Sequence, residues 1–172
     1  MSMSRRDPAE QNGYLRYFYR NWRPTRLGRL LSRAYGFASG MGLTSDRLLT
    51  LQFKQRTSGQ LRSVILAVVH HEGQRYLVSM LGNGSTWVEN VRAAGGAAFV
   101  KRGQSRPVML RELPPENRAP IIKAWSQRAS SGRKHLPVEP GAPLSAFQAI
   151  AADYPVFRIE AVPAASPARS SD

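Results

Sequence analysis

The feature that most constrains this chain is a succession of strand-length apolar runs joined by turns too short for a crossover. Arg62–His70 (RSVILAVVH) is rich in Val, Ile and Leu. His71–Gln74 (HEGQ) follows as a hairpin turn, and Arg75–Leu81 (RYLVSML) returns as the partner strand. Upstream, Arg47–Phe53 reads as a strand, and Gln55–Gln60 (QRTSGQ) as a polar turn in which Gly59 supplies conformational freedom. Downstream, Ala97–Arg102 and Pro107–Leu113 form another hairpin turning at Gly103–Gln104, and Val156–Ala161 (VFRIEA) closes the domain. A parallel pair needs a connection of a dozen or more residues, so these joints predict an antiparallel sheet. The fold class expected is α+β, a mainly antiparallel barrel with flanking helices.

Helices fill the remaining intervals. Thr86 and Glu89 have capping-box spacing, so a short helix is expected there, ending at Gly95–Gly96. Pro114–Pro115 opens a helix to about Ala129, with Ile121, Ile122 and Trp125 as its buried side. Ser130–Pro143 is a Pro/Gly-rich loop, and Leu144–Asp153 a second short helix. The N-terminal part reads as a separate basic extension over residues 1–40. Gly13–Trp22 and Thr25–Gly36 both show helical spacing, with Leu15, Phe18, Tyr19 and Trp22, then Leu27, Leu30, Leu31 and Ala34, on their apolar faces. Residues 41–161 form the barrel domain, and residues 162–172 a small-residue, disordered tail.

The 172 residues suit one core of ordinary size. There are no cysteines, which excludes thiol catalysis, Cys-ligated metals and disulfides and is compatible with a cytoplasmic location. No stretch reaches membrane-span length and no secretory pattern opens the chain, so the mature protein is expected to start near Met1. His70, His71 and His135 have no metal-ligand spacing, and no metal site is expected. No nucleophile elbow, phosphate-binding P-loop or dinucleotide fingerprint is present, and no acid pair suits general acid–base work, so no catalytic residue is assigned.

The net charge is +14, mostly from arginine, and favours a polyanionic partner. Two constellations localise it. Lys54, Arg56, Thr57, Ser58, Gly59 and Arg62 crowd one turn, where backbone N–H groups, hydroxyls and cations would converge on one or two phosphates. The alternative is a solvated polar turn. Beyond the third strand, Gly82–Asn83–Gly84–Ser85 leads into a helix start with free N–H groups. Trp87 there would wall a planar ligand or lie in the core. Asn90, one turn on, would face the same site or cap the helix. Nucleic-acid binding is the less favoured partner, because no recognisable motif accompanies the charge. The Tyr14–Tyr35 region would suit an anionic membrane surface, at the inner face of the plasma membrane; the alternative, and the favoured one, is that it packs on the domain.

These constellations carry a family resemblance. QRTSGQLR (Gln55–Arg62) resembles the G-R-K-S-G-x-P-R-like turn of the deazaflavin-dependent nitroreductase and quinone reductase family, matching at Arg56, Ser58, Gly59 and Arg62. TWVENVRAAGG resembles that family's W-x-x-N-[LV]-x-A helix, matching at Trp87, Asn90, Val91 and Ala93. DYPVFRIE (Asp153–Glu160) is similar to its closing segment. Gln55, Thr57 and Leu61 stand where the family has Gly, Lys and Pro, and Val88 and Glu89 where it often has aromatic and His-like residues. Lys54 is the neighbouring cation that would stand in for the lysine missing at Thr57.

The resemblance, over about Leu48–Glu160, implies a split β-barrel and the phosphorylated deazaflavin coenzyme F-420, with FMN as the alternative. The reduced cofactor would pass a hydride to a quinone, nitroaromatic or similar small-molecule acceptor. The alternative is a non-catalytic module of the same fold holding a flavin, lipid or haem-like ligand. The resemblance puts the cofactor against Lys54, Arg56, Thr57, Ser58, Gly59, Arg62, Ser63, Val64, Ser79, Gly82, Trp87 and Asn90. Split-barrel relatives are often dimers, which implies a homodimer.

Overall fold

The computed structural model describes residues 47–102, 104–128 and 135–162, with the backbone of Tyr19–Arg20 and Arg23–Pro24. Two-residue strands β1 (Tyr19–Arg20) and β2 (Arg23–Pro24) pair antiparallel, Arg20 opposite Arg23. The helix expected over Gly13–Trp22 is therefore corrected at Tyr19–Arg20. Helical spacing is a local signal only, and Pro24, with fixed φ and no N–H, ends helical hydrogen bonding and fits a short edge pairing. The rest of the N-terminal extension, Gly103, residues 129–134 and the tail beyond Val162 lie outside the described residues.

The domain itself is the expected antiparallel barrel. Strands β3 (Leu48–Lys54), β4 (Leu61–His71), β5 (Gln74–Val78), β6 (Ala97–Arg102), β7 (Gln104–Glu112) and β8 (Val156–Ala161) close in the order β3-β4-β5-β8-β7-β6, and β6 pairs back onto β3. Every pairing is antiparallel. Glu72 and Gly73, with φ of 49° and 73°, make the β4–β5 turn. Two successive positive φ values match the right-handed twist of the strands that they join.

Two strand ends depart from the sequence expectation. β5 stops at Val78 rather than Leu81. The Ser79 N–H donates to the Pro155 carbonyl at 2.9 Å, but Pro155 has no N–H to return, so the ladder ends there. β7 starts at Gln104, ahead of Pro107. Pro107 pairs with Phe99 of β6, while the β8 pairing starts only at Val108, so among the described residues its missing N–H breaks no ladder bond.

Alternation divides the apolar residues between two cores. Leu49, Leu51, Phe53, Val68, Leu77, Val108, Leu110, Phe157 and Ile159 point into the barrel. Helix α1 (Thr86–Ala93) adds Trp87, Val88 and Val91 to that cluster and so plugs one end. The second core lies outside β4, β5 and β8. There Val69, Tyr76, Val78 and Val156 meet Ile121, Ile122 and Trp125 of α2 (Ala119–Arg128) and Phe147 of α3 (Leu144–Ile150). The buried face expected for α2 is observed. Its entry is a separate 3-10 turn, Pro115–Asn117, where one continuous helix was expected. The turn fits a Pro-rich start, because Pro114 and Pro115 offer no N–H to a longer helix. Among the described residues, no helix is long and apolar enough to cross a membrane.

Candidate functional site

The β3–β4 turn is built by its own backbone. The Gln55 N–H donates to the Gln60 carbonyl at 2.8 Å, and the Gly59 N–H to the Gln55 carbonyl at 2.7 Å. Gly59 has a φ of 66°, with nothing within 4 Å of where a Cβ would stand, so conformation rather than space selects glycine here. Ser58 Oγ donates to Gln55 Oε1 at 3.1 Å, and Arg62 Nε to the same oxygen at 3.0 Å. Arg62 Nη2 also reaches Gln60 Oε1 at 3.2 Å. Arg62 is thereby laid along the turn. Lys54, Arg56, Thr57, Ser58, Gly59, Arg62 and Ser63 are all exposed. Among the described residues, the N–H groups of Thr57 and Ser58 donate to no acceptor.

The turn is fixed to α1. The Arg56 N–H donates to Asn90 Oδ1 at 2.7 Å, across 34 positions of sequence. Asn90 Nδ2 in turn donates to the Thr86 carbonyl at 2.7 Å. Asn90 is 2% exposed and spends both ends of its amide on these braces. Arg56 Nη2 lies 3.4 Å from Glu89 Oε2, in an exposed pair. The capping box is therefore corrected. Ser85 is the N-cap, no side chain caps the helix, and Glu89 faces Arg56. A cation from a distant turn has claimed the carboxylate that local spacing assigned to the helix start.

Trp87 lies in the barrel core, 5% exposed, with its ring centroid 5.2 Å from that of Phe157. It supports α1 from beneath. Val64 packs, partly buried, against the same core. Ser79 is buried, and its hydroxyl donates to the Gly82 carbonyl at 2.8 Å. Gly82 has a φ of 74°, and a Cβ there would lie 3.1 Å from the Asp153 carbonyl oxygen. Ser79 and Gly82 thus shape the loop that enters α1, and no hydrogen bond joins them to the basic turn. The structure brings Lys54–Ser63, Glu89 and Asn90 together and leaves Ser79, Gly82 and Trp87 as the frame behind them.

A network that the sequence analysis did not identify holds this frame. Glu112, at the end of β7, accepts from Arg92 Nε at 2.8 Å and Nη2 at 2.6 Å, and from Arg118 Nη2 at 3.0 Å. Arg92 Nη2 also donates to Asn83 Oδ1 at 2.8 Å, and Asn83 Nδ2 to the Ala152 carbonyl at 3.1 Å. Arg118 is buried and donates further to the carbonyls of Leu113 and Ala151. The hydrogen bond to Glu112 raises the pKa of Arg92, whereas burial lowers that of Arg118. One carboxylate thus ties α1, the loop before it and the start of α2 together. Four polar residues spread from 83 to 118 leave no local pattern by which to find it. Among the described residues, no group of three His, Asp or Glu side chains could hold a metal.

No family model matches the chain, and no curated protein matches it. Solved structures to which it is similar include an F-420-H2 dependent reductase, at 20% identity and a TM-score of 0.45, covering 67% of this chain and 95% of that one. A FAD-binding protein from Mesorhizobium loti is 21% identical with a TM-score of 0.44, covering 77% of this chain and 91% of that one. A third, described as a domain-swapped dimer, is 20% identical with a TM-score of 0.46, covering 77% of this chain and 92% of that one.

Proposed function

We propose that the protein is a deazaflavin-dependent oxidoreductase whose Lys54–Arg62 turn grips the anionic part of coenzyme F-420. The single observation that carries this reading is the hydrogen bond from the Arg56 N–H to Asn90 Oδ1. It joins the two segments on which the family resemblance rests, so residues separated in sequence belong to one surface. The donor set fits a phosphate-bearing group. Three cations, two hydroxyls and the N–H groups of Thr57 and Ser58 face solvent on a single turn.

In this reading Arg56 and Arg62 bind the phosphate, with Lys54 standing where the missing motif lysine would act. Asn90 holds the turn at its working height, and Glu89 orients Arg56. Trp87 and Val64 keep the floor beneath the site dry. The reduced cofactor supplies the hydride, and the acceptor is a quinone, nitroaromatic or similar molecule. FMN is the alternative cofactor. A homodimer and a cytoplasmic location belong to the same reading.

Titration of the full chain with F-420 and with FMN tests it. Micromolar binding of F-420 is expected, weakened about tenfold by Arg56→Ala or Arg62→Ala, the loss of one charge-assisted hydrogen bond each. Reduction of a quinone or nitro acceptor should accompany binding. Binding without turnover would point instead to a non-catalytic module, and binding of neither cofactor would sink the proposal.

A further inference from the structure

The barrel end opposite α1 has a chemistry of its own. Inward-facing positions alternate along each strand, so the core layer fixes which residues form the next layer at the rim. Two positions beyond Leu49, Val68, Leu77 and Val108, on the side away from α1, stand Arg47, His70, Arg75 and Arg106. The strand tilt that closes the barrel brings these positions to one end. His70 pairs with Arg75, the Val68 N–H donates to the Arg47 carbonyl, and Arg106 pairs with Val100. All four are exposed. The corresponding position on β8 is Ala161, beyond Ile159. Among the described residues, no inward rim position carries an acid. The acids of this end are turned elsewhere: Glu72 lies in the hairpin turn beside His71, and Glu160 faces outward to Arg111 and Arg158.

We propose that this rim is a docking face for an anionic lipid bilayer, with the barrel standing on the membrane and the Lys54–Arg62 turn directed away from it. The shape of the array selects the partner. The arginines Arg47, Arg75 and Arg106, set around one end of the barrel, present a plane of charge that meets a flat field of lipid phosphates. A nucleic acid is tracked by a stripe or groove instead. The chain also enters β3 at this end. The proposal stands apart from the reading of the cofactor turn, which lies at the other end of the barrel.

The test is sedimentation of the full chain with phosphatidylserine-rich vesicles against pure phosphatidylcholine vesicles. Each arginine near an anionic surface contributes on the order of a fivefold gain in partitioning. The double variant Arg75→Gln/Arg106→Gln should therefore lose about 25-fold, while Arg75→Lys/Arg106→Lys keeps wild-type binding. Arg56→Gln/Arg62→Gln, with the same change in net charge at the far end, should lose less than about threefold, because screening confines the attraction to roughly 10 Å. Equal losses for the two glutamine variants would reduce the effect to net charge and overturn the proposal. So would wild-type partitioning of the rim variant, or rim-dependent binding of a single-stranded oligonucleotide without binding to vesicles.

Discussion

The backbone N–H of Arg56 and the side-chain oxygen of Asn90 lie 2.7 Å apart, and this bond seats the β3–β4 turn on helix α1. The Asn90 amide is buried and bonded at both ends, so its geometry is fixed before any ligand arrives. A turn held by one buried side chain is sensitive to that side chain.

Asn90→Ala should cost about 1–2 kcal/mol in denaturant unfolding, since it leaves the Arg56 N–H without its acceptor and removes the extra bond to the Thr86 carbonyl. F-420 binding should weaken further than the stability loss alone predicts, because the turn loses its height above α1. Asn90→Asp keeps the acceptor for Arg56 and should recover part of the binding. Equal binding by wild type and Asn90→Ala would show that the bond has no part in the site.

Removing the carboxylate of Glu112 should be among the costlier changes near the site. Arg118 is 6% exposed at its side chain and would be left with an uncompensated charge. Breaking such a pair costs about 3 kcal/mol, so Glu112→Ala should shift the unfolding midpoint sharply. Arg111→Ala, which removes an exposed partner of Glu160, should stay within about 0.5 kcal/mol. Similar losses in both variants would contradict a special role for the Glu112 network.

Gly96 ends the turn after α1. Its N–H reaches back to the Val91 carbonyl at 2.9 Å, its φ is 92°, and a Cβ there would lie 2.5 Å from the Leu110 carbonyl oxygen. Gly96→Ala meets both conformational and steric resistance and should cost about 3 kcal/mol or more. Gly95→Ala, with a φ of 61° but open space, should cost about 1–2 kcal/mol. Thermal unfolding of the pair separates strain from clash.

Burial lowers the pKa of His135, whose backbone carbonyl accepts from Tyr154 Oη at 3.2 Å. The folded state therefore holds this imidazole neutral more firmly than the unfolded chain does. Its contribution to stability is complete above the unfolded imidazole pKa of about 6.5, and is lost as pH falls through the lowered folded value. His135→Gln should flatten the fall in unfolding temperature between neutral and mildly acidic pH. An unchanged pH profile would show that another group controls it.

By itself the sequence determined the order of strands and helices and where the barrel's hairpins turn. It also determined that charge concentrates between Lys54 and Arg62. These are local matters: β-branched runs, glycine at positive φ, and cations close together in the chain. The buried face of α2 was legible for the same reason, because apolar spacing at 121, 122 and 125 describes one side of a helix. Only the tertiary structure decided what the second motif does. Trp87 and Asn90 share a face of α1, and that face turned inward, so the ring became core and the amide a brace. Glu89 had the spacing of a capping residue, but barrel closure brought Arg56 to it from 33 positions away. The Glu112 network and the cationic rim likewise exist only through register. Alternation places Arg47, His70, Arg75 and Arg106 on inward positions, but closure of the barrel sets them around one mouth. Attraction between charges falls with distance in space, and distance in sequence does not report it until the strands have paired.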